Sequence, residues 1–303
     1  MLAQHELENG LRGKLSLYEP LTRLTSWRVG GPAQRLYRPA DLADLAEFLR
    51  RLPAQEPLFW LGLGSNVLIR DGGVYGTAIA THGGLKNISL TGANSLRVEA
   101  GLPCAKAARF SARHGLSGAE FLAGIPGTMG GALSMNAGAW GGETWQRVKA
   151  VETIDRTGQI RLRMPSEFEI GYRSCRGAVE EWFVAAHLEL EFGDAEESLA
   201  LIRQFLEQRN LTQPTGVASC GSVFRNPPGD YAARLIEVAG LKGLCIGGAS
   251  VSTKHANFIV NEGSASASDI EALIEKVATT VAEVHGVTLI AEVRIVGERT
   301  RIA

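Results

Sequence analysis

The chain has 303 residues, of which 45% are hydrophobic and 21% charged, with a formal net charge of −1. That composition suits an ordinary globular protein with room for two or three domains and a sizeable core. The near-neutral charge argues against bulk attraction to nucleic acid or to an anionic membrane, and no apolar run approaches the roughly 20 residues of a membrane helix.

The chain opens with MLAQHELENG, which lacks the apolar core of a secretory leader and points to a cytoplasmic protein. After the turn-like VGGP, a strand is expected over 33–38. Asp41 is a plausible N-cap for a helix running to about Leu52, with Leu42, Leu45, Phe48, Leu49 and Leu52 on one face. Pro53 and Pro57 stop it, and PLFWLG reads as a buried strand. GLGSNVLIRDGG, residues 62–73, begins like a dinucleotide fingerprint but fails as one. Val67 occupies the third glycine position, and VLI reads as strand where a helix is required. The turn can still hold phosphate through its N–H groups with Ser65 and Asn66, or be a hairpin-like turn.

Residues 74–100 are β-like, with turns at Gly83-Gly84 and Gly92, and 103–114 read as a helix with Gly115 at its C-cap. A hairpin is expected over 148–163, turning at Thr157-Gly158, and a strand over 182–192. The long helix expected over 194–210 marks the best domain boundary. Beyond it the pattern is α+β. A helix over 231–239 ends at Gly240, and a strand covers 258–260. A further helix starts at Ser268, with Ser268 and Glu271 as a capping box. Its buried face is Ile270, Leu273, Ile274, Val277, Val281 and Val284. The last strand is expected over 287–296.

The chemistry concentrates in few places. Residues 124–142 read GIPGTMGGALSMNAGAWGG and hold Gly124, Gly127, Gly130, Gly131, Gly138, Gly141 and Gly142 of the chain's 36 glycines. Backbone amides in such turns form anion-binding nests. A loose loop or a set of sheet turns is the plainer alternative, but the interleaved Ile125, Met129, Leu133 and Met135 suggest a buried, ordered segment. Ser222 in CGSVFRNPP lacks a GxSxG context, so a nucleophile elbow is disfavoured and a positioned proton donor is the alternative. Arg173 in GYRSC, following Tyr172, offers a planar fork for a carboxylate. Glu292 sits in the terminal apolar segment, either as a proton donor or as a surface carboxylate. Taken singly, each is more readily structural than catalytic. Lys254 and His255 precede a strand and are weaker candidates for ligand contact. His114 reads as a group complementing a helix C-terminus. His5, His82, His187 and His285 show no metal-ligand spacing, and Cys104, Cys175, Cys220 and Cys245 show no CxxC spacing. No metal site and no disulfide scaffold is expected.

The combination resembles the UDP-N-acetylenolpyruvoylglucosamine reductase (UDP-N-acetylmuramate dehydrogenase) family through nearly the whole chain. Its carriers are TSWRVGGPA at 25–33, GLGSNVLIRD at 62–71, GIPGTMGGALSMNAGA at 124–139 and GYRSC at 171–175. CGSVFRNP at 220–227, VSTKHANFIVN at 251–261 and AEVRIVG at 291–297 complete the set. The resemblance implies an α+β fold: a two-subdomain FAD-binding module of the vanillyl-alcohol-oxidase type, over 1–60 and 61–193, plus a C-terminal α+β substrate domain over 194–303. It implies noncovalent FAD held by Gly62, Gly64, Ser65 and Asn66 at the pyrophosphate and by Gly124, Ile125, Pro126, Gly127, Gly130, Gly131, Asn136, Ala137 and Gly138.

The implied reaction is reduction of an enolpyruvyl ether of a UDP-sugar, with NADPH as hydride donor. Ser222 matches the family's proton donor, and Arg173 and Glu292 match the pair that polarises the substrate carboxylate. Tyr172, Arg225, Asn226, Lys254 and His255 are the expected substrate contacts. No nucleic acid and no membrane insertion is implied. Only a strand and a helix are expected between Arg173 and Ser222, which matches the family's shorter layout. Thr212, Gln213 and Pro214 depart from a lysine-containing pattern, so that a diphosphate contact is either missing or replaced, with Arg209 as the candidate replacement. The competing readings are a flavin oxidase of the same fold and a nonenzymatic nucleotide-binding protein.

Overall fold

The computed structural model describes residue 7 and residues 9–300. His5 and the stretch read for a secretory leader lie largely outside the described residues. The chain forms two compact units. One comprises Met1–Leu17, Arg35–Leu63 and Gly76–Glu207, the other Tyr18–Gln34, Gly64–Tyr75 and Gln208–Ala303.

The first unit is built on a five-stranded antiparallel sheet in the order Ile160–Arg163, Val148–Asp155, Glu181–Glu189, Ser95–Glu99, Ile88–Leu90. Strand alternation gives it one apolar and one polar face. Leu96, Val98, Val151, Ala186 and Leu188 join one core with residues of the Cys104–Arg113 and Met129–Ser134 helices. On the polar side Arg97 grips Glu152 with two bonds of 2.7 Å, and His187 meets the same carboxylate at 2.8 Å. The expected hairpin is present, with Gly158 at φ +75° in its turn.

A four-stranded sheet runs in the order Lys14–Pro20, Pro32–Arg38, Val74–Ala80, Leu58–Leu61. The helix Leu42–Arg51 starts at Asp41 as its sequence demands: the Asp41 carboxylate accepts the Asp44 N–H at 3.0 Å. Leu45, Phe48 and Leu49 are buried. Leu58–Leu61 pairs in parallel with Val74–Ala80, so the glycine turn that follows it does not close a hairpin. The strand expected over 182–192 is two strands: Glu181–Glu189 belongs to the large sheet, while Glu191–Phe192 pairs with Leu116–Ser117. The chain changes partner there, and Phe192 is left exposed.

The second unit packs the long helix Ala267–His285 with a small sheet in the order Ala218–Ser219, Ile259–Asn261, Ala249–Val251, Cys245–Ile246. Ile270, Leu273, Ile274, Val277 and Val281 share a core with Trp27, Leu68, Phe224, Leu235 and Ile236. Trp27 is wholly buried. Its indole N–H donates to the Ile259 carbonyl at 2.7 Å, and its own carbonyl accepts from Asn261 at 2.9 Å.

Three expectations about this unit are corrected. The capping box is Ser266 with Asp269, not Ser268 with Glu271: Ser266 Oγ accepts the Asp269 N–H at 3.0 Å, and Asp269 accepts the Ser266 N–H at 2.9 Å. Ser268 and Glu271 are instead engaged by distant partners. Asp71 accepts the Ala267 and Ser268 N–H groups at 2.9 Å each, and Arg70 makes two 2.9 Å bonds to Glu271. Val284 is 57% exposed, because the buried stripe ends at Val281, one turn before the left-handed cap at Gly286. The last strand is only Arg294–Val296, parallel to Val67–Ile69. Before it, Leu289 and Val293 anchor in the core, and Ala291 makes a single bridge to Phe224.

Among the described residues no helix is long and apolar enough to cross a membrane, and no group of three metal-ligating side chains comes together.

Candidate active site

In the first unit the glycine-rich segment is knitted to the core rather than loose. Thr128 caps the short helix Met129–Ser134, its Oγ1 accepting the Gly131 N–H at 3.4 Å. The Met129 and Gly130 N–H groups donate to the carbonyls of Leu102 and Ala100 at 2.9 and 2.8 Å. Gly127 accepts from the Cys104 N–H at 2.9 Å. These bonds hold the segment in place and commit the Met129 and Gly130 amides within the fold. Ile125, Met129, Leu133 and Ala137 are buried, while Pro126 and Gly131 stay exposed.

Two close approaches explain glycines here. A Cβ on Gly62 would lie 2.4 Å from Thr128 Oγ1, so the first glycine turn abuts the second glycine segment. A Cβ on Gly124 would fall 1.7 Å from the Trp140 ring, which stacks flat on Phe205 at 4.4 Å.

The Tyr172-Arg173 pair forms the tip of the hairpin Glu169–Gly171 and Ser174–Arg176. Arg173 has φ +51°, lies 5.1 Å over the Tyr172 ring and donates from Nη2 to the Gly138 carbonyl at 3.0 Å. The structure thus joins two sequence motifs, 136–139 and 171–175.

In the second unit the Gly64-Ser65-Asn66 turn is stapled to both candidate catalytic segments. Gly64 has φ +61°, and its carbonyl accepts the Ser26 N–H at 3.0 Å. The Ser65 carbonyl accepts from the Gly221 N–H at 3.2 Å and from the Cys220 thiol at 2.6 Å. Burial pushes that thiol up to about 12, so Cys220 stays protonated and acts as a donor. Asn66 donates from its side chain to the Glu292 carbonyl at 3.2 Å, and its own carbonyl accepts the Arg294 N–H at 3.1 Å. The Glu292 N–H in turn donates to the Val223 carbonyl at 2.8 Å. Ser65, Asn66, Ser222 and Glu292, read from separate motifs, therefore lie in one hydrogen-bonded cluster of backbone. Ser222 and Glu292 are both half-buried.

The remaining expected contacts have local duties. Asn226 accepts the Ala232 N–H at 3.1 Å, at the start of the Ala232–Val238 helix. The Arg225 N–H donates to the Ile290 carbonyl at 2.9 Å. Exposed Lys254 donates from Nζ to the Asn210 carbonyl. His255 is half-buried and edge-on to Phe258 at 4.8 Å, and burial lowers its pKa, which favours the neutral ring. Arg209 is bonded to Gln213 at 3.2 Å, and burial lowers its pKa.

Sequence reasoning missed Asn257. It is buried, accepts the Phe224 N–H at 2.9 Å and returns a bond to the Phe224 carbonyl at 2.8 Å. Its carbonyl also takes the Val223 N–H at 2.9 Å. It pins the segment carrying Ser222, and its only sequence signal was an asparagine in an otherwise apolar run before a strand.

The buried, ordered glycine segment at 124–138, with Gly62 packed against its Thr128, leaves room for a large phosphate-bearing cofactor to approach backbone. Where Gly62 meets Thr128 the chain presents backbone in place of side chains. Residues 33–162 match the FAD binding domain, and residues 213–296 match the C-terminal domain of UDP-N-acetylenolpyruvoylglucosamine reductase. The chain is 62% identical over 286 residues to the UDP-N-acetylenolpyruvoylglucosamine reductase of Alkalilimnicola ehrlichii, covering 94% of this chain and 96% of that one. It is 61% identical to the Legionella pneumophila (strain Corby) enzyme of the same name over 288 residues, 95% of this chain and 94% of that one. The crystal structure of the reductase from Thermus caldophilus superposes with a TM-score of 0.81 at 34% identity, covering 95% of this chain and all of that one. The fold of 6-hydroxy-D-nicotine oxidase from Arthrobacter nicotinovorans is shared at a TM-score of 0.59 and 10% identity, over 96% of this chain and 90% of that one. The architecture is α+β, an FAD-binding module of the vanillyl-alcohol-oxidase type followed by the reductase C-terminal domain.

Proposed function

Because the chain belongs to the UDP-N-acetylenolpyruvoylglucosamine reductase family of FAD-dependent oxidoreductases in peptidoglycan precursor synthesis, we propose that it reduces the enolpyruvyl ether of UDP-N-acetylglucosamine to UDP-N-acetylmuramate with NADPH, in the cytoplasm. FAD, when bound, would supply the hydride chemistry that links NADPH to the alkene. Gly62, Gly64, Ser65 and Asn66 would hold its pyrophosphate, and Gly124 to Gly138 the rest of the molecule.

The chain's own residues handle charge and the proton. Hydride addition at the terminal alkene carbon turns CH2 into CH3 and moves the alkene electron pair onto the adjacent carbon and its carboxylate. Arg173 pairs with that carboxylate through its planar guanidinium, where stabilisation of developing charge is usually the largest catalytic effect. Glu292 completes the grip as a hydrogen-bond donor. To sit against an anion it must carry its own proton, since two facing carboxylates repel. Ser222 Oγ–H delivers its proton to the adjacent carbon and recovers one from solvent. Arg225, Asn226, Tyr172, Lys254 and His255 are assigned to the UDP-sugar.

The observation that carries this reading is the staple between the Ser222 and Glu292 segments, made by Glu292 N–H and Val223 O at 2.8 Å. The test is the visible spectrum of the purified protein, recorded without oxygen, before and after NADPH and then with the enolpyruvyl substrate. Flavin bands that bleach and then return on substrate addition support the reading. Bands that return only with air favour an oxidase. A colourless protein that takes up no FAD leaves a nucleotide-binding role.

A further inference from the structure

We propose that Asn136, together with Glu143, is a positioning pair for Arg173. The inference rests on the carboxylate-binding role assigned to Arg173 above and deepens it.

Asn136 is 2% exposed and has φ +44°, a left-handed conformation that asparagine tolerates better than most residues with a Cβ. Its side chain is committed on three sides. Nδ2 donates to Glu143 Oε2 at 2.9 Å and to the Gly171 carbonyl at 3.2 Å, while Oδ1 accepts the Trp145 N–H at 3.2 Å. Trp145 is buried and donates its indole N–H to the Leu133 carbonyl at 2.9 Å. Asn136 is therefore fastened to the core on one side and reaches the Arg173 hairpin on the other.

Gly171 is the last strand residue before Tyr172-Arg173 and pairs with Ser174 across the turn. The guanidinium end of Arg173 is held separately, by the Gly138 carbonyl at 3.0 Å. Gly138 pairs in register with Glu143, the residue that accepts from Asn136. Backbone and guanidinium of Arg173 are thus tied to one short ribbon, residues 136–143. An arginine in a two-residue turn has many rotamers to lose, and charge stabilisation depends on placement to within an ångström. The ribbon supplies that placement, and Asn136 acts through Arg173 rather than on the substrate.

The test uses the full-length flavin-loaded protein. Asn136→Gly keeps the left-handed backbone and removes the three bonds. We expect reoxidation by the enolpyruvyl substrate to slow on the order of tenfold more than flavin reduction by NADPH does, the effect of one well-placed hydrogen bond. Without substrate, amide hydrogen exchange over residues 168–176 should quicken. In an Arg173→Ala background, Asn136→Gly should add no further slowing. Equal slowing of both half-reactions, additive losses, or unchanged exchange would overturn the proposal. Arg173→Ala alone separates the two layers. If it leaves reoxidation intact, the role of Arg173 itself fails, and the positioning role with it. If it slows reoxidation while Asn136→Gly does not, only the positioning role falls. Should Asn136→Gly not fold, Glu143→Gln carries the same comparison, with a smaller slowing confined to reoxidation.

Discussion

The N–H of Glu292 donates to the carbonyl of Val223 at 2.8 Å, which sets Glu292 one residue along from Ser222 on a neighbouring segment. Asn257 grips the same segment from its other side, through the Val223 N–H and both polar groups of the Phe224 backbone. The candidate proton donor and the candidate carboxyl group thus share one frame, and its rigidity makes their roles separable by experiment.

Replacing Ser222 by Ala removes one proton and little volume. Flavin reduction by NADPH should be nearly unchanged, while reoxidation by substrate should slow about 10²- to 10⁴-fold, the usual worth of a positioned acid. Rapid-mixing absorbance of each half-reaction checks this. Equal loss in both halves removes Ser222 from the proton-donor role.

Asp71 belongs to the GLGSNVLIRD motif, yet its carboxylate receives the Ala267 N–H, the Ser268 N–H and the Ser268 hydroxyl at 2.8–2.9 Å. It is a second cap on the Ala267–His285 helix, beside Ser266. Asp71→Ala should cost about 1–2 kcal/mol of stability, and Ser266→Ala about 1 kcal/mol. Both variants should keep the flavin. Denaturant unfolding and the absorbance ratio of flavin to protein measure the two effects, and loss of flavin without loss of stability would contradict the capping role.

Arg70, then Arg299, hold the buried Glu271 carboxyl at about 2, well below its ordinary 4.5. The folded state thus binds the proton less tightly than the unfolded chain does. The stabilisation is complete above about pH 4.5 and is lost as pH falls through about 2. Arg299 is largely exposed, so screening reduces the contribution to on the order of 2 kcal/mol. Glu271→Gln should lower stability at neutral pH and flatten its decline across that window. An unchanged acid slope in urea unfolding would show that Glu271 is not the titrating group.

Gly124→Ala drives a methyl into the Trp140 ring. Overpacking of this kind costs about 1–3 kcal/mol. Adding Trp140→Ala should recover part of that loss, giving a non-additive pair in thermal unfolding of the apoprotein. Strict additivity would mean that the ring does not press on residue 124.

Several elements were legible because their causes are local. The Leu42–Arg51 helix carries its own cap at Asp41 and its own apolar stripe. The hairpin over 148–163 carries its own Gly158 turn. Where an alternative partner lay far along the chain, local reading failed. Ser268 and Glu271 have the spacing of a capping box, but Asp71 and Arg70 claim them, and the cap moves to Ser266. Apolar alternation over 287–296 promised a long strand, but Leu289 and Val293 spend it on core packing.

By itself the sequence determined the family, through seven ordered motifs whose glycines and polar residues sit at fixed spacing, and with it the cofactor class. Only the tertiary structure decided which motif residues face one another. It turned Trp27 toward Ile259, Asp71 toward the long helix, and Asn136 toward the Arg173 hairpin. The reason is physical. A periodicity or a cap is satisfied within a few residues, whereas a buried amide or carboxylate must find its partners wherever packing brings them, and that choice is made by the folded chain as a whole.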